Sequence, residues 1–183
     1  MERFEERFRK GKIPLFKGDE EILSNLYEEV GKVSHKTLIL WNFLLIKEPV
    51  AYLTGRYSNS YIFDKAIDVS WQWAVGNTTR SDAGHVIHSL IMASDEVDDI
   101  ADKCLFYALR EAFLTIGDRK HAAGFALYDL SSLVYEEGPV AGLGKVPSRI
   151  MLYQEKLEAA ISNEKSHIGP WAPFLSKESG SLA

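Results

Sequence analysis

His85 and His88 stand three residues apart, close enough for both imidazoles to share one helix face, where they could bind a divalent metal if carboxylates joined them. Neither the HExxH pair of zinc proteases nor the paired ExxH segments of di-iron bundles is present. Both therefore read as surface or cap histidines, and no metal is expected. His121, shortly after Asp118, carries no motif either. Gly144 and Lys145 invite comparison with a phosphate loop, but Pro139 stands where such a loop needs its first glycine, and Val146 replaces the Ser or Thr after the lysine. The stretch from Gly138 to Lys145 reads as a connecting loop. Cys104 shares a helical face with Ala101 and Ala108, a setting for an inert buried thiol rather than a nucleophile. These residues assign no catalytic group and no cofactor.

Carboxylates are the more informative groups. Asp95, Glu96, Asp98, Asp99 and Asp102 make the densest acidic cluster in the chain. At a helix start such charges interact well with the helix dipole, and on a surface they would steer and hold a cationic protein. These five are the candidate partner-binding residues. Asp129 falls among Ala126, Leu130 and Leu133 on a largely apolar helix, where a carboxylate needs a partner; Arg110, on the preceding helix, is the expected one.

The elements that position these groups follow from apolar spacing. Between Tyr61 and Gly76, Phe63, Ile67, Trp71 and Ala74 form one helical row and Ile62, Ala66, Val69 and Trp73 a second. A helix with so wide an apolar surface is expected to be the central one, with Trp71 and Trp73 as structural residues, Asn59 or Ser60 as N-cap and Gly76 as its stop. Upstream, Phe4 and Phe8 mark a short amphipathic helix in a docking arm, residues 1–18, and Asp19 opens a helical pattern that runs to Val33. The run TLILWNFLLI is a buried helix, followed by a short one in PVAYL that Pro49 starts. Helices are expected from about Asp82 to Ala93, Val97 to Ile116, Asp118 to Glu137, and from Pro147 onward, after a loop spanning GPVAGLGKVP. Residues 165–183 form a looser tail. No alternating strand pattern of useful length occurs, so the fold class is all-α: one domain over residues 1–183, a bundle of about seven or eight helices.

Composition narrows the function. Lys+Arg 21 against Asp+Glu 26 gives a net charge of -5, which lacks the basic footprint of a binder of nucleic acid or anionic membrane. The charged start, MERFEERFRK, is unlike a signal peptide, and the longest apolar run is too short to span a bilayer. With one cysteine and no internal disulfide, a reducing cytoplasm is the expected location.

The order of a tryptophan-bearing helix, AIDVSWQWAVGN, a variable acidic loop, an alanine- and aromatic-rich helix, CLFYALREAF, and a Val146-Pro147 element opening the last helix resembles the all-helical immunity proteins of bacterial polymorphic toxin systems, in particular the sixth family of that set. The resemblance covers about Tyr61 to Leu157. It implies a cytoplasmic, non-catalytic protein whose partner is the toxic domain of a cognate toxin, which it binds and blocks. Two other readings stay open. One is a helical-bundle enzyme or ligand-binding protein with a metal or apolar ligand near His85, His88 and Asp129. The other is a homo-oligomer pairing through exposed aromatic residues such as Trp171 and Phe174.

Overall fold

The run His35–Leu45 holds one charged residue, Lys36, and its helix buries Leu38, Ile39, Trp41 and Leu45 together, so it needs apolar neighbours on more than one side. Those neighbours are helices. The computed structural model describes residues 4–58 and 61–177, and among them all regular structure is helical: α1 (Phe4–Arg9), α2 (Ser24–Lys32), α3 (His35–Leu45), α4 (Lys47–Arg56), α5 (Tyr61–Ala74), α6 (Arg80–Asp95), α7 (Ile100–Leu114), α8 (Gly124–Glu137), α9 (Pro139–Ser166) and α10 (Pro173–Lys177). Single 3-10 turns, Glu21–Leu23 and Arg119–His121, lead into α2 and α8. The expected caps at Asn59 and Ser60, and the end of the tail, lie outside the described residues.

Helices α3, α7, α8 and α9 make the centre. Both α7 and α9 pack on α3 and on α8; α6 lies against α7, and α5 against α6. Trp41 is fully buried and donates its indole N–H to the Tyr153 carbonyl at 2.9 Å, which ties α3 to α9. The most enclosed helix is α7, which buries Ala101, Cys104, Leu105, Phe106, Ala108, Leu109, Ala112 and Phe113. This corrects the expectation that α5 is central. Helix α5 buries Phe63, Ala66, Trp73 and Ala74, but Ile62, Ile67, Val69 and Trp71 are only half buried. Small residues let the neighbours of α7 approach closely, whereas the bulk of α5 keeps it at one side.

A second correction concerns residues 138–147, expected to be a loop. They are the first turns of α9. Gly138, at φ +84, makes the sharp turn out of α8, and Pro139 occupies the first helical position, where its missing N–H is not needed. Gly142 is there for closeness. A Cβ on it would lie 2.6 Å from Val134 Cα, so α9 crosses α8 at a distance only glycine permits. Pro147 sits inside the helix on an exposed side, where the carbonyl it leaves unpaired is open to water.

The chain ends fasten to this frame. Phe8 stacks on Tyr135 of α8 at 5.2 Å, Tyr135 donates to the Lys12 carbonyl, and the Leu15 N–H donates to Ser131 Oγ at 2.8 Å. Near the other end, the Ala172 N–H donates to the Ala74 carbonyl at 2.8 Å, closing over the end of α5. Trp171 meets Trp71 edge-on at 6.1 Å, and His167 packs between them.

Candidate partner-binding face

Glu48, Tyr52 and Arg56 repeat every four residues along α4, so they line one face of it. At one end of that face lies the Asp129 network. Arg149 of α9 donates Nε to Asp129 Oδ2 at 2.7 Å and Nη2 to Oδ1 at 3.1 Å, and Tyr153 adds its hydroxyl to Oδ2 at 2.5 Å. The third nitrogen of Arg149, Nη1, reaches Glu48 Oε2 at 2.7 Å. Burial works against the charge on Arg149, but its hydrogen bonds to Asp129 and the charge of that carboxylate outweigh burial and hold its pKa above the ordinary value. Burial, followed by the nearby Asp129 charge, pushes the Tyr153 phenol well up. Asp129 is thus a buried ion-pair residue, as its place on an apolar helix suggested, but its partner is not Arg110. Arg110 bonds its neighbour Glu111 at 2.5 Å, and Glu111 also meets His121 Nδ1 at 2.6 Å. Arg149 wins because α8 and α9 pack side by side at Gly142, which puts a long side chain one helix away against Asp129.

At the other end of the α4 face stands the start of α7. Asp99 is its N-cap, accepting from the Ala101 and Asp102 N–H groups at 2.9 and 3.3 Å. Arg56 bridges both acids, at 2.9 Å to Asp99 and 2.8 Å to Asp102. The Asp102 charge, its largest influence, raises the Arg56 pKa. Tyr57 donates to Asp102 Oδ2 at 2.5 Å; burial first, then this bond, push its phenol up to about 12. Asp102 is 1% exposed and faces inward, so of the five acids expected to make one patch it belongs to the interior. Asp95, Glu96 and Asp98 are exposed at the corner between α6 and α7. The physical reason for the split is helical: Asp102 is three residues past the cap and returns to the buried side of α7.

Beside the Asp129 network is a cleft of about 210 Å³, lined by Glu48, Pro49, Tyr52, Leu105, Asp129, Ser132, Leu133, Glu136 and Arg149. Glu136 and Tyr52 are exposed at its edge.

The remaining candidates are dispersed. His85 and His88 are both exposed on α6, away from buried Asp129, and among the described residues no three His, Cys, Asp or Glu side chains gather as a metal site. Cys104 is fully buried, and burial pushes its thiol up to about 12. Trp73 is buried with Phe174 against it, whereas half-buried Trp71 packs edge-on to Phe43 at 5.4 Å. Among the described residues no helix is long and apolar enough to cross a membrane. Sequence reasoning missed Glu48, Tyr52 and Arg149. The four-residue spacing from Glu48 to Arg56 was a usable signal; Arg149 had none, because its partner comes from packing twenty residues away.

A family model described as Imm-5 like putative immunity protein matches residues 28–156, a span that runs from within α2 into α9 and contains Glu48, Asp129, Arg149 and Tyr153. No curated protein and no solved structure matches the chain. The match bears out the expected resemblance to immunity proteins, and the family it names is the Imm-5 like one. The chain belongs to the Imm-5 like immunity-protein family.

Proposed function

We propose that this protein neutralises a bacterial polymorphic toxin in the cytoplasm by binding its toxic domain and covering the surface that domain works with. The observation that carries the reading is the family match over residues 28–156. An exposed acidic corner supports it. Asp95, Glu96 and Asp98 project from the α6–α7 corner of a chain with net charge -5, and such a surface attracts and orients a basic partner. Inhibition then needs no chemistry from this chain. It needs only an interface large enough to hold, of the order of 1,600 Å² in total for a stable complex.

The test is co-expression with the C-terminal domain of the toxin encoded beside it. Growth is expected to be rescued and a stoichiometric complex to be recovered. Reversing Asp95, Glu96 and Asp98 to lysine together should slow association and weaken the complex, most visibly at low salt, while the fold is kept. Asp99 and Asp102 are unsuitable for this test, since one caps α7 and the other is buried in an ion pair. Absence of rescue by the wild-type protein would reject the proposal.

A further inference from the structure

The cleft between α4 and α8 has a chemistry of its own. Ser132 is 4% exposed, lines the cleft, and among the described residues its hydroxyl has no hydrogen-bond partner. Its neighbour Ser131 shows the usual arrangement, donating to the Leu127 carbonyl and accepting from Leu15. The hydroxyl of a nearly enclosed residue that opens onto a cavity is one that a ligand can satisfy. The walls beside it, Leu105, Leu133 and Pro49, are apolar.

Charge decides what fits. Arg149 balances Asp129, and its Nε, Nη1 and Nη2 are all engaged with carboxylates, so no cation of the cleft is free to receive an anion. The Glu48 carboxylate gives one oxygen to Arg149 and remains 68% exposed. Among the described residues Glu136 makes no ion pair, and its charge acts on the Tyr52 phenol, whose pKa is raised first by burial and then by Asp102. The lining therefore carries an excess of negative charge beside apolar walls. We infer that the cleft receives one long cationic side chain, arginine or lysine, from the bound toxin. Its methylene stem passes Leu105, Leu133 and Pro49, and its charged head, attracted by the Glu48 and Glu136 carboxylates, reaches the Ser132 hydroxyl, which accepts from it. The identity of the partner rests on the immunity reading; the preference for a cation does not.

The two can be tested apart. N-acetyl-arginine amide is titrated into the isotope-labelled full chain, with N-acetyl-citrulline amide as its neutral counterpart. Saturable shifts at the amides of Tyr52, Leu105, Ser132, Leu133 and Glu136 are expected with the arginine probe and not with citrulline, and E48Q/E136Q should abolish them. Equal shifts with both probes, no shifts at these amides, or an unchanged response in the variant would each overturn the assignment. In co-expression, E48Q/E136Q should bind the toxin about five-fold more weakly. A variant that binds as tightly as wild type overturns the cleft while the immunity reading stands. A wild-type protein that takes the arginine probe but gives no protection overturns the toxin as the source of the side chain.

Discussion

Asp129 and Arg149 face each other across the α8–α9 contact through two parallel hydrogen bonds, Nε to Oδ2 at 2.7 Å and Nη2 to Oδ1 at 3.1 Å. Asp129 is almost wholly enclosed, whereas the Arg149 side chain is 22% exposed. Removing the acid strands a guanidinium whose remaining carboxylate, Glu48, is out in solvent. Asp129→Ala should therefore cost about 2–4 kcal/mol, somewhat below the full penalty of a stranded buried charge. Urea unfolding measures it, and a double-mutant cycle with Arg149→Ala should return a coupling above about 1 kcal/mol. Stability equal to wild type would remove the pair as a fastener of α8 to α9.

Two glycines of one helix should respond in opposite ways. Gly142 has no room for a methyl group against Val134, so Gly142→Ala is expected to force α9 away from α8 and cost about 1–3 kcal/mol. Gly144 has open space where its Cβ would be, and Gly144→Ala should stabilise by up to about 1 kcal/mol through helix propensity. Thermal melts of the two variants, recorded side by side, check the sign of each.

Tyr57 sets an alkaline limit. Its phenol is pushed from 10.0 up to about 12 in the folded protein, so folding favours the neutral form. A raised value of this kind gives stability that is complete below pH 10 and disappears as the pH climbs through 12. Chemical unfolding at several pH values should show the wild-type advantage over Tyr57→Phe shrinking across that window. At neutral pH the phenylalanine variant should be weaker by about 1 kcal/mol, because Asp102 loses a donor.

Cys104 should resist thiol reagents. Only the thiolate attacks, and burial has pushed this thiol up to about 12. A disulfide reagent at pH 8 is expected to label it at the rate of global unfolding, and fast labelling of the native protein would contradict its enclosure within α7.

Helix periodicity made most of the bundle legible before any coordinates. The runs that became α3, α6, α7 and α8 carry apolar residues at helical spacing, and Gly117 closes the α7 run; the cap of α7 was not legible, because Ser94 or Asp95 suggested itself where Asp99 serves. The first turns of α9 were illegible for a physical reason: Gly138, Gly142, Gly144 and Pro147 have low helical preference, and contact with α8 overrides it. Which helix would be central was also hidden. The bulky rows of α5 suggested it, but alanine-rich α7 takes the place, since close approach depends on the neighbours' shapes as well as on apolar area. Asp129 could be recognised as needing a cation; that the cation is Arg149 depends on a crossing that no local pattern encodes. The acidic cluster was visible as composition, but its division into an outward corner and an inward Asp102 required the rotation of α7.

The bond from Ala172 to the last turn of α5 joins segments almost a hundred positions apart, and it places the Trp171 indole beside that of Trp71. Tryptophan emission, to which this pair contributes beside Trp41 and Trp73, should consequently change when the C-terminal segment leaves its seat. Force applied through the C-terminal segment would pull first on α5 and only then on the α3, α7, α8 and α9 centre.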